Sequence, residues 1–254
     1  MRSSTLHQAI LMAFSISFLS NPLPTGPHGP VPPSLIVEVG QITVPEGYKR
    51  HPYTANSFAA WLRKLPLRRS TRVYLYNGRE KGNQTAQFAV LDLSIGNKNL
   101  QQCADVCMRL RADYLLAIGK ENEIVFFDNA STSYRYSDYR NKISYASYLE
   151  KVFNWCGTLS LTKQMKKVER ADDIAPGDVI IQGGSPGHAV MIIDVAVNKK
   201  GEKLYMLAQG YMPAQDIHIL KNEINSGPWY SLSNSDYLKT PEWTFRPLQV
   251  KTWD

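Results

Sequence analysis

Residues 177–210 read GDVIIQGGSPGHAVMIIDVAVNKKGEKLYMLAQG, and their pattern decides the fold. Val179 to Gln182, Ala189 to Val197 and Lys203 to Gln209 are apolar or β-branched runs bounded by glycine-rich or lysine–glycine turns, the signature of strands in an antiparallel sheet. Asn198 to Gly201 (NKKG) is a hairpin turn between the second and third runs. With that turn, Val197 faces Glu202, Val190 faces Gln209 and His188 faces Tyr211, so Gln209 becomes a diagonal neighbour of His188 on one face of the sheet. The assignment hangs on register, because a slip of one residue sends Gln209 to the opposite face.

Upstream, the hydrophobic period changes to that of helices. SFAAWLRKL (57–65) carries Phe58, Trp61, Leu62 and Leu65 at i, i+3, i+4 and i+7, with Asn56 or Ser57 as the cap and Pro66 as the stop. Arg72 to Tyr76 and Ala86 to Ile95 read as two strands of a hairpin with a long loop, turning at Asn77-Gly78. The strongest helix is Asn99 to Ile118, capped by Asn97 or Asn99 and ended by Gly119, with Leu100, Cys103, Cys107, Leu110, Tyr114 and Ala117 in one stripe. Tyr148 to Cys156 and Leu161 to Lys167 are shorter helices separated by Gly157. Helices first and a sheet afterwards is the α+β arrangement, N-terminal helices packed on a C-terminal antiparallel sheet.

The chain has 254 residues, 43% hydrophobic and 20% charged, which excludes collagen-like, low-complexity and disulfide-scaffold classes. No run reaches the ~18–20 apolar residues needed to span a bilayer. One basic residue, Arg2, followed by the apolar run Ala9 to Leu19 is the layout of a signal peptide, assigned to residues 1–20. Residues 21–34 hold six prolines in fourteen positions and read as a linker, leaving 35–254 as a single domain. The expected destination is therefore outside the cytoplasm, in the periplasm or cell envelope. A net charge of +7 permits attraction to acidic surfaces without choosing among them. The basic clusters Arg63 to Lys81 and Lys163 to Arg170 accompany no nucleic-acid-binding signature, so they read as solvated faces.

The chemistry narrows to three residues. Cys103 lies near the start of its helix, where free backbone N–H groups and the helix dipole lower a thiol's pKa and stabilise a thiolate. His188 opens a strand after Gly183-Gly184-Ser185-Pro186-Gly187, so its imidazole stands at the sheet's edge, suited to take the thiol's proton and return it to a leaving group. Gln209 is the group that would hold the ring. Gln102, Asp105, Ser185 and Tyr211 are the expected substrate contacts, with Asp105 either complementing the helix dipole or meeting a substrate ammonium. Cys107 and Cys156 read as core residues. Residues 183–187 also fit the G-x-S-x-G elbow of serine hydrolases, but the residue after the serine must donate an N–H and Pro186 has none. Asp216 and His218 share one face of a strand and read as an exposed edge. No spacing of metal ligands is present, and neither metal nor cofactor is expected.

The order helix-borne Cys103, then Pro176-Gly177-Asp178-Val179 leading into a strand, then His188, then Gln209 resembles the NlpC/P60 branch of papain-like enzymes, over roughly residues 99–209. That resemblance implies a papain-like fold, with Cys103 as nucleophile, His188 as base and Gln209 as orienting residue, acting on peptide or amide bonds of the bacterial cell wall. More closely, the chain resembles an uncharacterised family of exported bacterial proteins catalogued as a domain of unknown function. The matching stretches are SFAAWLRKLPL (57–67), VYLYNG (73–78), LQQCADVCMRLRADYL (100–115), GTLSL (157–161), GDVIIQGGSPGHAVMIIDVA (177–196), LAQGYMPAQDIHILKN (207–222) and PWYSL (228–232). In that pattern Cys103 belongs to the motif while small apolar residues usually fill the places of Cys107 and Cys156. This chain is short between Asp128 and Tyr145, where relatives carry a longer insert. The expected partner is an envelope peptide or glycan, met by a monomer at most peripheral to the membrane and binding no nucleic acid. The alternative is a non-catalytic envelope-binding module that uses the same cleft.

Overall fold

The strands read from residues 179–209 form the centre of one large antiparallel sheet in the computed structural model, which describes residues 36–232 and 236–253. The signal-peptide and linker assignments lie outside the described residues. In chain order the first elements are β1 (Tyr48–Arg50), α1 (Phe58–Arg63), β2 (Gln87–Val90) and α2 (Cys103–Ala117). There follow β3 (Val125–Phe127), β4 (Ser133–Arg135), α3 (Tyr136–Tyr139), α4 (Tyr145–Trp155), α5 (Thr158–Gln164) and β5 (Lys166–Lys167). The C-terminal part supplies β6 (Val179–Gln182), β7 (His188–Asn198), β8 (Lys203–Gln209), β9 (His218–Leu220) and β10 (Trp229–Tyr230). It ends with β11 (Leu238–Lys239), β12 (Thr244–Phe245) and β13 (Val250–Thr252). The fold class is α+β. Among the described residues no helix is long and apolar enough to cross a membrane.

The main sheet runs β2-β9-β8-β7-β6-β13-β5, with β1 added to β7 and β10 to β8. Its long central strand, β7, is buried on both faces, and this explains the near-continuous apolar run AVMII. Met191 and Ile193 face the helices, in a core shared with Leu62 of α1 and Leu110 of α2. Val190 and Ile192 face the other way, against Tyr230, Phe245 and Val250 from the C-terminal segment. Burying each such side chain contributes about 1.5–3 kcal/mol, so β7 is where both halves of the molecule are held together.

The hairpin register departs from expectation and then returns to it. At the turn Val197 faces Lys203, one residue away from the expected Glu202. A bulge between Ile192 and Asp194 absorbs one residue, after which Ile192 faces Leu207 and Met191 faces Ala208, the register expected at the His188 end. The bulge has a chemical reason. Asp194 is fully buried, and its carboxylate accepts from Arg50 Nε and Arg63 Nε, each at 2.7 Å, and from its neighbour's Val195 N–H at 2.8 Å.

Four other expectations are corrected. Asn77-Gly78 does turn the chain, but it joins Val73–Leu75 to Arg79–Lys81, while β2 pairs with β9 instead of with residues 72–76. The Gln84 side chain occupies the vacant ladder position, bonding both the N–H and the C=O of Val73. Lys166 and Lys167 leave the helix and form β5, and Ala117 is exposed at the end of α2's stripe. His218 is no edge residue: β9 lies between β2 and β8, and Asp216 and His218 are both buried.

Candidate active site

α2 begins later than its asparagines suggested, and this moves Cys103 to its first helical position. Residues 99–102 lie outside the helix, and Asn99 Oδ1 accepts the Ala214 N–H at 2.8 Å instead of capping it. Gln102 is the N-cap, and its own N–H is taken by the Asp105 carboxylate at 2.9 Å. The helix start rests directly on the end of β8 because Gly210 has no side chain. A Cβ there would stand 2.7 Å from Val106 Cγ2 and 3.1 Å from Gln102 O.

The N–H groups of Ala189, Ala104 and Cys103 all favour a thiolate at Cys103, and Ala189 is the residue next to His188. Burial is the larger effect and, with the nearby Asp105 carboxyl, pushes the thiol up to about 11. The sequence reading expected the opposite sign. The helix dipole is worth ~0.3–1 kcal/mol, whereas removing a thiolate from water costs more, so the resting thiol is neutral.

His188 is fully buried. It lies on the face of β7 that carries Val190 and Ile192, with the rings of Tyr211, Trp243 and Phe245 at 5.0, 5.3 and 5.6 Å between centroids. Its Nε2 is 2.9 Å from Gln209 Oε1, so the diagonal relation expected from the hairpin is present as a direct hydrogen bond. Gln209 Nε2 donates to Glu242 Oε2 at 2.8 Å and lies 3.2 Å from His218 Nε2. Glu242 in turn pairs with Lys81 at 2.8 Å, and both side chains are almost wholly buried. His188 Nδ1 is buried and, among the described residues, has no hydrogen-bond partner. Burial holds the imidazole down at about 4, against the raising effect of the Gln209 bond. Among the described residues no hydrogen bond joins the Cys103 sulfur to this ring; the two meet through the backbone of Ala189.

A cleft of about 360 Å³ opens over Cys103, with Gln102, Asp105, Phe153, Thr158 and Ser185 in its walls. Among the described residues no lysine or arginine lines it. The 183–187 loop forms one wall because it docks on the start of α5: Thr158 Oγ1 donates to Gly184 O at 3.1 Å. Of the expected contacts, Gln102, Asp105 and Ser185 reach this cleft, while Tyr211 packs on His188 and donates its hydroxyl to Glu242 O at 3.1 Å. Asp105 is buried, which pushes its carboxyl up to about 8 against the lowering effect of the Gln102 N–H. Lys81, expected on a solvated basic face, is instead buried against Glu242, a residue the sequence did not single out. Each is a single charge in an irregular segment, with no periodicity to mark it as buried.

Two stretches, residues 39–144 and 128–252, match the family model described as "Domain of unknown function (4846)". The chain belongs to this family. No curated protein and no solved structure matches it. The first stretch of the family domain carries Cys103 and Lys81, and the second carries His188, Gln209, His218 and Glu242, so the arrangement just described lies wholly inside the domain.

Proposed function

We propose that the protein is an exported cysteine hydrolase of papain-like type, acting on a peptide or amide bond of cell-envelope material. The observation that carries the reading is the conjunction at one sheet end of a helix-initial cysteine lining a cleft and a histidine bonded to Gln209, with its other nitrogen unpartnered. In the proposed reaction His188 Nδ1 takes the S–H proton as the Cys103 sulfur bonds to the substrate carbonyl carbon. Free N–H groups at the start of α2 stabilise the oxyanion. Collapse breaks the C–N bond, and the amine leaves with the proton held by Nδ1. Water then cleaves the thioester by the same proton traffic, releasing the acid and restoring the thiol. His188 is buried on the face of β7 turned away from α2 and, among the described residues, is not in the cleft wall, so the proposed reaction requires substrate binding to bring sulfur and imidazole together around the end of β7.

Cys103 alkylation by iodoacetamide at pH 7, resolved from Cys107 and Cys156 by mass spectrometry, tests the pairing. The expected result is a rate about tenfold or more above that of His188→Gln, which keeps the volume but not the base. Equal rates would sink the hydrolase.

A second reading has its own support. Met212, 43% exposed, lines the cleft together with Phe153 and Pro186, an apolar lining suited to holding a peptide or sugar face. A non-catalytic binding module of the envelope would use that lining without the thiol. Binding of isolated wall material that survives Cys103→Ser, with no product released by the unaltered protein, is the outcome that favours it.

A further inference from the structure

We propose that the buried Lys81–Glu242 ion pair is a positioning device that sets the tautomer of His188, leaving Nδ1 as the proton acceptor. The inference rests on reading Cys103 and His188 as the working pair. Glu242 Oε2, held 2.8 Å from Lys81 Nζ, is the acceptor of that ion pair. The Gln209 atom 2.8 Å from it must therefore be the amide nitrogen. An inverted amide would press two oxygens together inside the protein.

His218 fixes the second amide hydrogen. Its Nδ1 lies 2.9 Å from the Asp216 carbonyl, which only accepts, so Nδ1 carries the proton. The neutral ring then offers Nε2 as acceptor to Gln209 at 3.2 Å. Burial and the Lys81 charge keep His218 neutral by pushing it down to about 3. With both amide hydrogens committed, Gln209 Oε1 is the atom left for His188, and a carbonyl oxygen accepts only a donor, Nε2–H. The lone pair of the neutral ring is therefore on Nδ1, the one ring atom without a partner. This also accounts for glutamine at position 209: a carboxylate could not donate to Glu242 and would repel it.

The test is the tautomer itself, read from long-range ¹H–¹⁵N correlation spectra of the full chain labelled in histidine. His188 is expected as the Nε2–H form in the unaltered protein and in Glu242→Gln, whose side-chain oxygen still accepts from Gln209. His218→Phe alone keeps Glu242 and is expected to leave the Nε2–H form, whereas Glu242→Leu combined with His218→Phe removes both acceptors of the amide, frees it to invert and is expected to populate Nδ1–H, with Cys103 alkylation about tenfold below that of His218→Phe. An Nδ1–H ring in the unaltered protein or in His218→Phe, or an undisturbed Nε2–H ring in a folded double variant, overturns the proposal. The spectrum answers even if Cys103 proves unreactive: Nε2–H at His188 with an inert thiol would remove the hydrolase and leave the tautomer assignment standing.

Discussion

Asp105 closes the first turn of α2 by accepting the Gln102 N–H, yet its burial sets a pH dependence opposite in sign to that of the histidines. Its carboxyl protonates at about 8 when folded against an ordinary 3.8, so between these values the folded chain holds a proton the unfolded chain has released. That contribution to stability is complete below 3.8 and is lost as pH rises through 8. His188, at about 4 folded against 6.5, runs the other way: its contribution is complete above 6.5 and is lost as pH falls through 4. Asp105→Asn keeps an acceptor for the Gln102 N–H and removes the titration. Its melting temperature relative to the unaltered protein is expected to improve steadily from pH 5 to pH 9, by several degrees, with ~1 kcal/mol corresponding to about 2–4 °C in a chain this size. The histidines are common to both proteins and cancel. Parallel melting curves against pH would show that Asp105 ionises freely.

At the scale of elements, the site depends on α2 lying against the end of β8, and Gly210 is the contact that permits it. Gly210→Ala must displace Val106 and the Gln102 carbonyl, at an overpacking cost of about 1–3 kcal/mol. The expected outcome is a lower urea midpoint at unchanged m-value together with altered Cys103 alkylation. A midpoint and thiol reactivity both unchanged would mean that the helix start is not held by this contact. The hairpin of β7 and β8 was legible because its apolar runs and NKKG turn are local signals, and the diagonal from His188 to Gln209 followed from them. The bulge was not legible, since nothing local in MIIDVAV says that Asp194 will be drawn to two arginines far back in the chain. An error of one residue at the turn and an unforeseen bulge cancelled, and the register at the His188 end came out right. α2's start was misjudged for a related reason: Asn99 looks like a cap in sequence, but its side chain is committed to Ala214, over a hundred residues on.

Across the whole molecule, what sequence patterning missed are the long-range ties. The α+β class is visible in the change of hydrophobic period, whereas β2 and β1 enter the sheet from the N-terminal half, and Lys81 reaches Glu242 across the fold. Single polar residues that bury themselves on distant partners leave no periodic trace. Asp194 is the tie on which most converges, because it joins β1 through Arg50, α1 through Arg63 and the bulge through Val195. Asp194→Ala leaves two largely covered guanidinium groups without their carboxylate and the Val195 N–H without its acceptor. The expected loss is about 3–5 kcal/mol, as for other buried pairs broken on one side. Glu80→Ala is the internal comparison. It removes the partner of Arg72, in a pair 57% and 49% exposed, and is expected to change stability by under about 1 kcal/mol. Urea unfolding of the two variants separates the cases, and comparable small losses in both would mean that the N-terminal segments are held to β7 by apolar packing alone.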